Sequence, residues 1–183
     1  MDKGSLHDVL RKEKEFKIKT LLDYSYQAAQ GLMYLHNRGI IHGDFAARNL
    51  LLDTAPVQKA LFDPTAGTIK IADFGKSEDA YEYSYQSTTK VKAKKELDRG
   101  VLNPWRWLPP ELYNTGRLEN FADIWAFGVV MWELFSRGKL PYKGIKNFAS
   151  WVQYESYRLP YVNNCPWAVY LLRWILESIS IYW

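Results

Sequence analysis

Ten consecutive residues constrain this chain more than any others. They are Ile40-Ile41-His42-Gly43-Asp44-Phe45-Ala46-Ala47-Arg48-Asn49, a polar loop between apolar flanks. A helix pattern precedes the loop: Leu21, Leu22, Tyr26, Ala29, Leu32, Met33 and Leu35 recur near period 3.6, which predicts a helix over Leu21 to Asn37. Gly39 ends it. Two short strands are predicted after the loop, Leu50 to Leu52 and Thr68 to Ala72. The segment Asp53 to Gly67 between them is long for a hairpin and holds Pro56, Pro64 and Gly67, so it reads as an insertion.

The flanking regions are helical in pattern. Leu6 to Lys12 has helical spacing and charge, and Asn120 to Ser136 is an apolar helix stopped by Gly138 and Pro141. Glu78 to Arg99 is polar, rich in Tyr, Ser, Thr and Lys, and reads as a mobile segment. The remainder is helical, with breaks at Pro160 and Pro166. The expected class is mainly α, with one small β-ribbon beside the His42 loop. At 183 residues, 48% hydrophobic and 24% charged, the chain can bury one core, and two full domains are not expected.

Charge and cysteine content exclude little but point one way. The net charge of +4 has much of its excess between Lys90 and Arg99, which reads as a solvated basic loop rather than a nucleic-acid surface. The single cysteine, Cys165, cannot form an internal disulfide and reads as structural, so no oxidising compartment is required. Met1 to Glu15 is too charged for a signal peptide. Phe121 to Phe135 holds Asp123 and Glu133, and is too short and too charged to cross a bilayer, so no membrane segment is expected in this chain.

Three motifs lie in order: His42-Gly43-Asp44 through Asn49, then Asp73-Phe74-Gly75 after the apolar run Ile69 to Ala72, then Trp107-Leu108-Pro109-Pro110-Glu111. Each residue has a bland reading alone. Asp44 suits a turn, Asn49 can cap one, Asp73-Phe74-Gly75 can end a strand, and His42 reads as a packed, hydrogen-bonded core histidine. For the first three, joint occurrence reverses that reading. These residue types suit phosphoryl transfer from ATP, which needs an aimed nucleophile and neutralised phosphate charge more than covalent help. Asp44 can accept or orient a substrate hydroxyl. Asp73 offers a carboxylate and Asn49 an amide oxygen, the hard ligands that Mg2+ prefers. Gly75 lets the backbone turn away after Asp73.

On these residues the chain resembles the protein kinases. His42-Gly43-Asp44 with Asn49 is similar to the catalytic loop H-R-D-x-x-x-x-N, and Asp73-Phe74-Gly75 matches the magnesium motif. Pro109-Pro110-Glu111 resembles the A-P-E that closes the activation segment, and Asp123-Ile124-Trp125-Ala126-Phe127-Gly128 the D-x-W-S-F-G of a central buried helix. Leu140-Pro141-Tyr142-Lys143-Gly144, Tyr157-Arg158-Leu159-Pro160 and Asn164-Cys165-Pro166 fit segments downstream of that helix. Ala46-Ala47-Arg48-Asn49 and Arg106-Trp107 resemble the tyrosine-kinase form, although tyrosine-kinase-like Ser/Thr enzymes share part of the second and stay an alternative.

The resemblance implies a fold, roles and partners. Residues 1–183 would be the hinge and C-terminal lobe of a two-lobed α+β kinase domain, with the activation segment at 73–111. Asp44 and Arg48 would be catalytic, and Asn49 and Asp73 would hold Mg2+. Met1 would face the adenine of ATP, Asp8 the ribose, and Leu51 would lie under the ring. His42, Phe74, Gly75, Glu111 and Asp123 would support the site, Asp123 by bracing the catalytic loop through backbone hydrogen bonds. The substrate would be a protein tyrosine, on the cytoplasmic side of a membrane or in the cytoplasm. Tyr81, Tyr83 and Tyr85 are either phosphorylation sites, neutralised by Lys90, Lys92, Lys94 and Lys95, or simply exposed tyrosines.

The chain also departs from the pattern. Gly43 replaces the arginine that normally pairs with a phosphorylated activation loop, so loop phosphorylation is expected to matter less here. Small-molecule phosphotransferases use H-G-D-x-x-x-x-N, but Ala46-Ala47-Arg48 and the Pro-Pro-Glu motif fit them poorly. A non-catalytic binding module is a further alternative, although such modules usually lose Asp44, Asn49 or Asp73. Leu171 to Trp183 drifts from the family. The glycine-rich loop and the lysine–glutamate pair of a complete kinase would lie upstream of Met1. The purified chain of residues 1–183 is therefore expected to have no measurable kinase activity. Robust ATP-dependent tyrosine phosphorylation of a peptide by that chain would overturn this.

Overall fold

The computed structural model describes residues 2–56, 61–74, 78–79, 105–109, 120–145, 159–163, 165–166 and 169. In chain order these form strand β1 (Gly4–Ser5), helix α1 (Leu6–Lys12), helix α2 (Ile18–His36), strand β2 (Ile40–Ile41), a 3-10 turn (Ala47–Asn49), strand β3 (Leu50–Pro56), strand β4 (Gly67–Ile71), strand β5 (Glu78–Asp79), a second 3-10 turn (Trp105–Trp107) and helix α3 (Asn120–Phe135). Among the described residues, then, there are three α-helices and two small antiparallel sheets. One sheet has the order β1-β3-β4; the other pairs β2 with β5.

Local chemistry accounts for the helix ends. Ser5 caps α1 by accepting the Asp8 amide at 3.2 Å, and Asp8 in the first turn and Arg11 and Lys12 in the last complement the helix dipole. On α2 the buried positions Leu21, Tyr24, Ser25, Ala28, Leu32 and Leu35 form one face. Gly31 lets that face approach β4: a Cβ there would lie 2.6 Å from Cδ1 of Ile71. Helix α3 is buried almost all round, as an apolar helix at the centre of a fold must be.

Helix α3 joins two cores. Val130, Leu134 and Phe135 pack with Leu6, Leu10, Leu32, Phe45 and Leu50, while Trp125, Val129 and Trp132 pack with Trp105, Leu108 and Leu159. Phe45 lies within the polar loop and Leu50 follows it directly, so the first core grips the loop at its middle and at its far end. Strand β3 alternates as a pleated strand must: Leu50 and Leu52 are buried, and Leu51 turns to the other face.

The structure revises several boundaries. Helix α2 starts at Ile18 rather than Leu21 and ends at His36; α3 ends at Phe135 rather than Ser136. The single ribbon becomes two sheets, because Gly4–Ser5 pairs with Leu51 and Leu52, and Ile40–Ile41 pairs with Glu78–Asp79. Two-residue strands have no sequence period and exist only through their partners. Gly75, Tyr81, Tyr83, Tyr85, Glu111 and the basic run from Lys90 to Arg99 lie outside the described residues, as does Met1. No helix of the described residues is long and apolar enough to cross a membrane.

The inserted segment is tied down from α2. Strand β3 runs on to Pro56, opposite Gly67, past a register shift after Asp53. Asp23, fully buried, accepts the backbone amides of Leu61, Phe62 and Asp63. Gln27 accepts the Ile69 amide at 2.8 Å and donates to the Gly67 carbonyl at 3.1 Å. Asp63 is itself held well below the ordinary carboxylate range by hydroxyl hydrogen bonds, first from Thr20 and then from Thr65, with Lys19 nearby. Its contribution is complete above the unfolded value near 3.8 and is lost as pH falls below that. Leu61 and Phe62 stay exposed on top of this clamp. Replacing Asp23 by Asn turns one acceptor into a donor facing N–H groups, and should cost about 2 kcal/mol in urea denaturation. Hydrogen exchange at residues 61–63 should accelerate; unchanged exchange would refute the clamp.

Candidate active site

The polar loop leaves β2 and re-enters regular structure at β3, so its amides have no ladder to join. Side chains supply the partners instead. Asp123, 1% exposed in the first turn of α3, accepts the His42 amide at 2.7 Å through Oδ2 and the Gly43 amide at 3.0 Å through Oδ1. His36 Nε2, at the end of α2, lies 3.0 Å from the same Oδ2. Two helices and the loop thus meet on one carboxylate.

His42 is fully buried and its ring is bonded at both nitrogens. Nδ1 accepts the Asp44 amide at 3.2 Å, and Nε2 lies 3.1 Å from the Ala72 carbonyl. A carbonyl can only accept, so the proton sits on Nε2, and the ring is a neutral brace between the loop and the end of β4. The Ala72 amide also donates to the Asn49 carbonyl at 2.9 Å. These two bonds place Asp73 beside the loop. Asp73 is solvent-exposed and has φ of 63°, a conformation costly for any residue but glycine and concentrated at functional sites. Phe74 is exposed on one side, with its ring 5.2 Å from that of His42.

Asp44 is buried within the loop, and its carboxylate pairs with the Arg48 guanidinium. Asn49 donates its amide nitrogen to the Asp44 carbonyl at 2.7 Å. Because that partner is a carbonyl, the nitrogen must point there and Oδ1 is the end left to accept or to ligate. The structure therefore brings Asp44, Arg48 and Asn49 together in the loop, and the Ala72–Asn49 backbone bond brings the residue before Asp73 to it. Asn49 Oδ1 and the Asp73 carboxylate are hard oxygens that suit Mg2+. The described residues contain no cluster of three or more His, Cys, Asp or Glu for a metal. A magnesium ion brought in on phosphates needs none, since it is held by one or two protein oxygens plus phosphate and water.

The nucleotide-side candidates are arranged by sheet pairing. Ser5 sits opposite Leu51, and the exposed Asp8 accepts the Ser5 hydroxyl at 2.8 Å. Leu51 and Asp8 are thus brought near each other at the strand–helix junction. Sequence reasoning passed over His36 and Glu133 as site-building groups. The signal for Glu133 was present: a lone glutamate in an apolar helix must find buried partners.

Gly43 has φ of 73°. This is left-handed backbone that glycine adopts freely and other residues adopt at a cost. The Gly43→Ala variant should lose about 1 kcal/mol in urea denaturation. An unchanged midpoint would show that the loop does not need this conformation.

The family model described as protein tyrosine and serine/threonine kinase matches residues 1–176. Tyrosine-protein kinase Fer of Mus musculus is 35% identical over 92% of this chain, which covers 18% of that protein. Protein-tyrosine kinase 6 of Homo sapiens is 33% identical over 94% of the chain, 34% of its own length. Tyrosine-protein kinase Btk of Drosophila melanogaster is 35% identical over 80% of the chain, 16% of its own length. The chain therefore spans about a third of one of these relatives and less than a fifth of the other two. With a family model matched along nearly its whole length and relatives about a third identical, the chain belongs to the protein tyrosine and serine/threonine kinase family.

Proposed function

We propose that this chain is the C-terminal lobe, with the hinge, of a protein tyrosine kinase domain, and that its site transfers the γ-phosphoryl group of ATP to tyrosine hydroxyls of proteins. The observation that carries this reading is the Asp44–Arg48 pair beside an Asn49 side chain whose nitrogen is committed to the loop. The activation segment would run from residue 73 to residue 111. The proposed setting is the cytoplasm or the cytoplasmic side of a membrane, as the resemblance to tyrosine kinases implies.

The chemistry follows from the groups in place. The tyrosine hydroxyl donates a hydrogen bond to Asp44, which aims the oxygen at phosphorus. As the new O–P bond forms, the bond to the leaving ADP oxygen breaks, and the hydroxyl proton passes to Asp44. Arg48 holds the Asp44 carboxylate in place and offsets negative charge as it gathers on the phosphoryl oxygens. When bound, Mg2+ supplies charge neutralisation at the phosphates, and Asn49 and Asp73 are the residues that would hold it. Leu51 would support the adenine from below and Asp8 would meet the ribose, with Met1 at the hinge.

The aromatic segment Trp105–Trp107 supports a tyrosine substrate over serine. Its half-buried Trp107 ring lies against the Arg48 guanidinium, and Arg106-Trp107 is similar to the tyrosine-kinase form. In the natural full-length protein, Asp44→Asn should cut kcat for a tyrosine peptide by roughly a hundredfold or more while leaving ATP affinity near its original value. Retained activity would remove Asp44 from the mechanism, and phosphorylation of serine in preference to tyrosine would move the assignment to the other branch of the family.

A further inference from the structure

Glu133 is a carboxylate buried at 1% exposure on the apolar helix α3. Its Oε2 accepts two hydrogen bonds, from the Ala47 amide at 3.0 Å and from the Trp107 indole Nε1–H at 2.8 Å. Its Oε1 lies 3.8 Å from Nδ1 of His7 on α1. Three segments distant in sequence therefore converge on one side chain: the helix on the nucleotide side, the polar loop, and the aromatic segment 105–109.

Both donors on Oε2 lead to Arg48. Ala47 is its backbone neighbour. The Trp107 ring carries the Arg48 guanidinium at 4.4 Å from the ring centroid, and Arg48 in turn pairs with Asp44. One oxygen thus fixes both the backbone from which Arg48 springs and the surface on which it rests. Stability is a weak explanation for such a group, because a buried carboxylate gives up its hydration and a packed apolar side chain of the same size does as well or better. Holding a reactive group at a set angle is a stronger one: small displacements of positioned groups are costly to rate.

We propose that Glu133 and Trp107 are positioning residues for phosphoryl transfer. They set the orientation of Arg48, and through it Asp44, and they hold segment 105–109 in register with the loop. His7 ties α1 to the same anchor, so the nucleotide side and the acceptor side share one reference point. This rests on the reading of Asp44 as the group that takes the tyrosine proton.

The test uses the natural full-length protein with ATP and a tyrosine peptide. Trp107→Phe keeps the aromatic face and removes the N–H; Glu133→Gln keeps the volume and removes the charge. Each should lower kcat by roughly tenfold or more with the KM for ATP within about twofold. The double variant should be no worse than the worse single one, because Trp107→Phe removes, and Glu133→Gln weakens, the same link. The Trp107 indole N–H resonance, identified by its loss in Trp107→Phe, should shift in Glu133→Gln. If Glu133→Gln fails to fold, the half-buried Trp107→Phe still decides the matter. A kcat within about twofold of the parent for Trp107→Phe, or strictly additive losses in the pair, would overturn the proposal provided Asp44→Asn is inactive. An active Asp44→Asn variant would instead overturn the phosphoryl-transfer reading beneath it.

Discussion

The arrangement depends on Asp123. Its two oxygens take the amides of His42 and Gly43, the two residues immediately before Asp44, and one of them also meets His36. A loop in this position has no strand or helix of its own to satisfy its N–H groups, and leaving two of them buried and unbonded would cost more than the bonds themselves provide. The carboxylate can serve as a fixed reference because α3 is packed on nearly every side. Gly43 completes the geometry by taking a left-handed turn without strain.

The same device recurs. Asp23, Asp123 and Glu133 are all buried on helices, and all three accept backbone amides from irregular segments. Each helix supplies a rigid frame, and each carboxylate projects from it to organise a piece of chain that has no regular structure. Asp123 holds the loop from its start, Glu133 from its middle, and Asp23 holds the long β3–β4 connection away from the site. Burying a charge is costly unless it is bonded, and each of these accepts at least two hydrogen bonds. The fold therefore places its polar groups where the backbone is irregular and leaves the rest of the two cores apolar.

Much of the site was legible in the chain itself. Asp44 and Asn49 stand in one short loop, and Asp73 ends an apolar strand, so their closeness needed only that strand and loop lie side by side. The elements with a long period, α2 and α3, were legible to within three residues at each end. The short strands were not. Gly4–Ser5 and Ile40–Ile41 have too few residues to alternate, and they are strands only because Leu51, Leu52 and residues 78–79 lie opposite. The insertion was recognised by its prolines and length, but its attachment to Asp23 was not, because nothing local in Leu61-Phe62-Asp63 names its partner.

The sequence by itself determined the chemistry: which carboxylates, amide and guanidinium exist, in what order, and how few residues separate Asp44 from Asn49. Those facts are local, and covalent spacing enforces them. Only the tertiary structure decided orientation. It turned the Asn49 nitrogen toward the loop and its oxygen outward, put the His42 proton on Nε2, and rested Arg48 on Trp107. It also brought α1, the loop and segment 105–109 onto Glu133, more than a hundred residues beyond His7 and only when α3 packs between them. Contacts of that kind depend on which helix face meets which loop, and packing alone settles that.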